Sequence, residues 1–401
     1  MTHTPVVTPK LINFSSPLAA ALSYWRFGFQ DFAFVLGIAG LLLGGLWIWA
    51  SFLIVVAIVI VGNAKFPYDL TEPANPPQGF LDVLARLGLP LMLANGLLLV
   101  HYFTMADPLH LIAGLGHVGI DLDAARAASS PFDKAIAIFS TGYQWGVGQS
   151  TAHELSHRLH SRGDRAIAQW TGALAFEPIF SLHHPYCHHR LVGLPQDPGT
   201  AWRGESLYAF MPRSFMGNAA FAAQAEAARM KRLGLPFFSL RNRFLTAWLI
   251  PLFYVAAVLF IGGLPALLAF LATALVARVI LESVAYLQHY GLLRVEGERV
   301  DERLSWDVYL TVTCAMLYNV SRHSDHHMHP LRQSGELKIS PQTPNLPYTY
   351  FALIFMTLAP PLYRRVMQPY LDDWDRNFAT PAELAYMRAN NIPHAEPLPA
   401  K

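Results

Sequence analysis

Residues 32–62, FAFVLGIAGLLLGGLWIWASFLIVVAIVIVG, run for 31 positions without one charged side chain. As a single helix the stretch would be about 46 Å long against roughly 30 Å of bilayer hydrocarbon, so it reads as two spans turning near Gly44 and Gly45. Residues 65–78, KFPYDLTEPANPPQ, hold four prolines and mixed charge and read as a loop. Further apolar stretches fit spans at 89–105, 135–150, 244–261 and 264–285, the last two separated by Gly262 and Gly263. The expectation is an all-α polytopic membrane protein of about six transmembrane helices, near 28–45, 46–63, 89–105, 135–150, 244–261 and 264–285. The whole chain, 1–401, is expected to form a single membrane-embedded domain.

Composition agrees. The chain is 53% hydrophobic and 14% charged, where a soluble globular chain carries about 25% charge. With 29 Lys and Arg against 27 Asp and Glu, it has no basic footprint for nucleic acid. Cys187 and Cys314 are too isolated for a disulfide framework or a CxxC knuckle. The first thirty residues lack the pattern of a cleaved signal peptide. Basic residues concentrate between the fourth and fifth expected spans, Arg158, Arg162, Arg165, Arg190, Arg229 and Lys231 among them. By the rule that basic loops stay inside, both termini and the polar segments 151–243 and 286–401 are expected on the cytoplasmic side.

The outlier is histidine, 17 in all, of which 12 fall in three regions on that side. These are HELSHRLH with His153, His157 and His160; LHHPYCHHR with His183, His184, His188 and His189; and LQHYG with RHSDHHMH, holding His289, His323, His326, His327 and His329. Imidazole is the commonest transition-metal ligand, and i, i+4 spacing puts His153 and His157 on one helical face. By the same geometry His323, His326 and His327 share a face, and His184 shares one with His188. His189 is turned about 100° from His188 if that stretch is helical. Such a turn serves two metals more easily than one. His160, His183 and His329 flank the pattern and read as outer or solvent-facing groups, while His101, His110 and His117 read as structural.

Two other readings use the same residues. HELSH matches the HExxH pattern in which Glu154 would be the general base of a zinc protease. That reading needs one further ligand and leaves most of the other histidines without a role. A metal transporter would place its ligands near the bilayer midplane, whereas these stand at the ends of spans.

The four boxes in order resemble the integral-membrane, histidine-rich diiron hydroxylases, in the branch of the alkane 1-monooxygenases and xylene monooxygenases. HELSHR resembles that family's first box, HHPYCHH around His184 to His189 its second, LQHYG its HYG box and RHSDHH its third. The stretch GLPQDPGTAWRGESLYAFMPRS after the second box is also similar. His183 stands where the alkane branch usually has Glu, and Gln288 matches the xylene branch, as does the tail LDDWDRNFATPAE. The resemblance implies nine iron ligands: His153, His157, His184, His188, His189, His289, His323, His326 and His327. It implies two iron ions and O2 as cosubstrate, with hydroxylation of a terminal methyl group of an alkane. A benzylic methyl of an alkyl-aromatic is the alternative substrate, and desaturation a further one.

Neutral imidazoles leave the metal charge uncancelled, so carboxylates near the site should orient ligands or deliver protons. Glu154, Glu282 and Asp325 are the expected catalytic carboxylates, with Asp197 and Glu205 as further candidates. Glu282 lies seven residues before His289, on the same face but deeper. Trp47, Trp49, Leu97, Leu98, Phe253 and Leu281 would line a substrate channel or simply face lipid. No flavin, dinucleotide or four-cysteine motif is present, so electrons are expected from a rubredoxin or ferredoxin with its NAD(P)H-dependent reductase. A bacterial inner membrane is the expected location.

Overall fold

The computed structural model describes residues 10–12, 24–66, 68–73 and 75–396. The two termini, expected on the cytoplasmic side, lie outside the described residues. Helices α1 (Phe29–Leu43) and α2 (Leu46–Lys65) form the expected hairpin. Gly44 turns it with φ +72°, and a Cβ there would meet the Ala125 backbone, so the turn requires glycine. The proline-rich loop carries a three-residue strand, β2 (Thr71–Pro73), which pairs in parallel with β1 (Lys10–Ile12) in the register Lys10 to Thr71. Little else among the described residues departs from helix and loop.

Helix α3 is Gln78–His101, which corrects the expected span at 89–105 at both ends. Its first turns carry three polar side chains that are paired off, Arg86 with Asp164 at 2.8 Å and Gln78 with Asp82 at 2.8 Å. It stops early because the buried guanidinium of Arg126 takes up the carbonyls of His101 and Thr104.

Helix α4 (Pro131–Ser156) starts at a capping box between Ser130 and Asp133, with Pro131 in the first turn. Residues 140–156 of α4 are buried without a break, as expected of a helix enclosed on all sides. Its polar side chains bond inward: Gln144 to the Ala33 carbonyl at 3.0 Å, and Gln149 to that of Thr171 at 3.2 Å. After α5 (Arg162–Ala173) and the short α6 (Phe180–His183) comes α7 (Leu207–Arg232). Helix α8 (Arg243–His289) is 47 residues, about 70 Å of helix, and breaks at Gly263, where φ is +66° and ψ −164°. It therefore supplies the two stretches expected on either side of Gly262 and Gly263. Farther on lie α9 (Thr311–Met316) and α10 (His323–Met328).

Among the described residues four helices, not six, are long and apolar enough to cross a membrane: α1 with the turn before it, α2, α3 and α8. With α8 counted as two stretches, α4 is the one left over, more polar because it packs inside the bundle rather than against lipid. Exposed Leu46, Leu53, Phe260 and Leu275 mark the lipid side of α2 and α8. Trp47 and Phe253 are exposed there too, so of the six channel residues named from sequence, Leu281 alone reaches the cavity described below.

Candidate metal centre

Four elements bring histidines to one place. The end of α4 supplies His153 and, at its C-cap, His157; the end of α8 supplies His289; α10 supplies His323, His326 and His327. The remaining three come from a π-helical turn, His184–His188, that follows α6, and from His189, which caps it. All nine are buried and fall into two groups, His153, His157, His184, His189 and His326 in one, and His188, His289, His323 and His327 in the other. Within each group one ring nitrogen per residue lies within 4.8 Å of all the others.

The π turn decides the division and overturns the expectation that His184 and His188 share a face. Its wider winding sets residues five apart together, so His184 and His189 meet with their Nε2 atoms 3.1 Å apart. His188 is turned to the other group, its ring 4.9 Å from His289 and 4.8 Å from His327. Helix α10 divides likewise, instead of presenting three ligands on one face. His323 and His327 bring their Nε2 atoms to 3.0 Å, while the ring of His326 lies 4.5 Å from His153 and 4.6 Å from His157. The groups adjoin where the rings of His189 and His327 stack at 4.4 Å.

These nitrogens fit a metal better than they fit each other. Both ring nitrogens of His153, Nε2 of His157 and Nε2 of His326 are buried with no hydrogen-bond partner, an arrangement that costs about 1–3 kcal/mol per group unless something fills it. A cation with metal–nitrogen distances of about 2.0–2.1 Å spans about 4.2 Å between opposed ligands, close to the spread of each group. Burial, reinforced by neighbouring imidazoles, holds His184, His189, His323, His326 and His327 well below the usual histidine range. Neutral imidazole is the form that binds metal. Each group is imidazole alone, a donor set that suits iron, zinc, copper or nickel rather than magnesium or calcium.

Two rings are oriented from behind. His289 Nδ1 donates to the Leu304 carbonyl at 2.9 Å, which leaves Nε2 free for a metal. His188 Nδ1 lies 2.8 Å from the buried carboxylate of Asp197. Burial alone would raise the pKa of Asp197, but His188, Thr200 and the Gly199 N–H together hold it below the usual carboxylate range.

The three carboxylates expected to be catalytic stand outside both groups. Glu154 accepts from Arg158 at 3.0 Å and from the Ser334 N–H at 3.0 Å, tying α4 to the loop after α10. Asp325 accepts from Arg332 and from the Lys338 N–H at 2.9 Å. Glu282 pairs with Arg278 one turn below it and faces the cavity. Glu205 is held by Arg213 at 2.7 Å. His160, His110 and His117 are exposed, and His329 lies 3.1 Å from Asp325 with its side chain 44% exposed. His183, expected in an outer role, is buried against Glu177 at 3.0 Å. Glu177 and its partner Arg278 escaped sequence reasoning, because neither belongs to a spaced motif.

An apolar-walled cavity lies against both groups. Val147, Phe180, Leu281, Val284, Leu317 and Val320 line it, together with His153 and His184 of one group and His188 of the other. Glu177, His183, Glu282 and Gln288 add polar lining.

Residues 134–369 match the family model described as fatty acid desaturase. Alkane 1-monooxygenase 2 of Pseudomonas aeruginosa is 30% identical over 80% of this chain and 84% of its own length. The alkane 1-monooxygenase of Acinetobacter baylyi is 32% identical over 62% of this chain, which spans 63% of that relative's length, a little under two thirds. The hydroxylase component of the xylene/toluene monooxygenase of Pseudomonas putida is 28% identical over 90% of this chain and 93% of its own length. The matched segment contains all nine grouped histidines, and on this evidence the chain belongs to the fatty acid desaturase family.

Proposed function

We propose that this protein is a membrane monooxygenase that hydroxylates the terminal methyl group of an alkane. The observation that carries the reading is the pair of all-imidazole groups opening on one apolar-walled cavity. Two iron ions, one per group, would supply the activation of O2 with two electrons that an unactivated C–H bond demands. The nine histidines would hold them, with Asp197 orienting His188 and the Leu304 carbonyl orienting His289. Val147, Leu281 and Val284 would exclude water and hold a methyl group beside the histidines.

A second substrate class has its own support. Gln288, which matches the xylene branch, lines the cavity, and the xylene/toluene relative aligns over nearly the whole chain. Benzylic hydroxylation of an alkyl-aromatic is the reading this favours. Electrons would come from a rubredoxin or ferredoxin and its NAD(P)H-dependent reductase. The density of Lys and Arg in 151–243 supports a site on the cytoplasmic side, and the membrane would be a bacterial inner membrane.

The test is turnover by the purified protein with such a carrier and reductase under labelled O2, with octane and p-xylene as substrates. An alcohol bearing one labelled oxygen is expected from at least one of them. An alkene without label would indicate a desaturase, and peptide cleavage or metal transport by a zinc-loaded protein would contradict the proposal.

A further inference from the structure

Beside the histidine groups the cavity wall carries a polar chain that the metal reading does not use. Arg278 on α8 donates to Glu177 and Glu282, and also to the Phe176 carbonyl at 3.2 Å. Phe176 itself is a non-glycine residue at φ +53°, in the turn that carries Glu177 into the bundle. Glu177 then meets His183 Nε2 at 3.0 Å. Glu177 is fully buried, which alone would raise its pKa, but Arg278 and then His183 outweigh burial and hold it down at about 2. The Glu177 carboxylate, engaged through its other oxygen by the Arg278 guanidinium, is the acceptor, so Nε2 of His183 carries the hydrogen between them and donates it.

That leaves Nδ1 as the ring nitrogen without a partner. His183 is 3% exposed, lines the cavity, and has no hydrogen-bond partner at Nδ1. A dry, unpaired ring nitrogen is costly in a mostly apolar wall, and a hydroxyl brought by a ligand would relieve it. Octane and xylene carry no donor. The alcohol made from either one does.

We propose that His183 is a hydroxyl-binding subsite of this cavity, its Nδ1 accepting the O–H of an alcohol held beside the histidine groups. The inference deepens the monooxygenase reading and rests on it for the ligand's class. Because His183 adjoins His184, the bound hydroxyl lies at the metal end of the cavity. The hydroxyl has two sources: the one newly formed on the product, or one already carried by the substrate. His183 thus separates ligands with an O–H from ethers whose oxygen carries no hydrogen, and Glu177 and Arg278 act as positioning residues that fix its tautomer.

The test is calorimetric titration of the purified protein in lipid nanodiscs, without carrier or reductase so that nothing turns over. Benzyl alcohol is compared with benzyl methyl ether, 1-hexanol with 1-methoxyhexane, and p-cresol with p-methylanisole. In the unaltered protein the alcohol of the benzyl or hexyl pair is expected to bind about tenfold more tightly than its ether. In His183→Phe that preference is expected to fall to about one. A preference confined to the first two pairs assigns the subsite to the product's hydroxyl, and one confined to p-cresol assigns it to a hydroxyl on the substrate. Equal affinities within every pair in the unaltered protein, or a preference that survives His183→Phe, overturn the proposal. The pairwise comparison needs no variant, so it stands even where His183→Phe fails to fold. Iron measured on the same sample keeps the two readings apart: protein that prefers the alcohol but holds no iron retains the subsite and loses the monooxygenase reading.

Discussion

His188 Nδ1 stands 2.8 Å from Asp197 Oδ2, with both side chains buried, and this contact ties the segment after the π turn to a ring that faces the second histidine group. Thr200 Oγ1 donates to the same oxygen at 2.7 Å and Gly199 N–H to the other at 3.0 Å, so the carboxylate cannot rotate away. Carboxylates in this position fix a ligand's tautomer and raise its basicity. Asp197→Asn is expected to weaken metal binding about 10-fold to 100-fold while leaving helix content unchanged. Competition with a chelator of known affinity checks it.

Gly199 sits so close to the same ring that a Cβ would lie 2.6 Å from His188 Nδ1. Gly199→Ala should therefore push His188 off its line and reduce the metal held per chain toward one, with the first group unaffected. Metal analysis of the variant, with circular dichroism to confirm folding, decides this.

Arg322 precedes the first ligand of α10 and is 1% exposed. It donates to the carbonyls of Leu337 at 2.8 Å, Thr71 at 3.1 Å and Asp69 at 3.2 Å, and pairs with the Asp69 carboxylate at 3.2 Å. Removing one partner of a buried ion pair costs about 3–5 kcal/mol. Arg322→Met should lower the unfolding midpoint in detergent markedly. A midpoint within a degree of the unaltered protein's would show that these contacts hold nothing in place.

The pH dependence of stability has a defined sign at Glu177. Burial pushes this carboxylate up, but Arg278 and His183 bring it from the ordinary 4.5 down to about 2. A carboxylate depressed in the folded state stabilises that state fully above its unfolded value and loses the contribution as pH falls through its folded value. The contribution is on the order of 3 kcal/mol at neutral pH. The gap in stability between the unaltered protein and Glu177→Gln should be constant above about pH 5 and close between roughly pH 4.5 and 2. A gap that widened on acidification would contradict the assignment.

How much of this could be read in the sequence depended on whether periodicity carried it. His153 and His157 show their common face through i, i+4 spacing, and Gly44 and Gly263 mark the turns that divide the apolar runs. The partition of the site was not legible, because a π turn pairs His184 with His189 where α-helical spacing pairs His184 with His188. Glu154 illustrates a motif whose spacing is satisfied but whose side chain is turned to Arg158 and Ser334. Asp197 appeared among candidate carboxylates, yet nothing in sequence separates it from Glu205, which is held by Arg213. Glu177 and Arg278 are 101 positions apart and meet only through the packing of α8 against the turn after α5. The lower hydropathy of the stretch expected as a span at 135–150 is likewise a matter of packing: it is helical, and from Ser140 onward the helix is enclosed by its neighbours.

Under the proposed function each of the two histidine groups would hold one iron. Elemental analysis of the purified protein is expected to give about two irons per chain and little zinc. His153→Ala and His327→Ala, one from each group, are each expected to reduce iron content and abolish hydroxylation. One zinc per chain and no iron, in a protein that cleaves peptides or moves metal, would contradict the account.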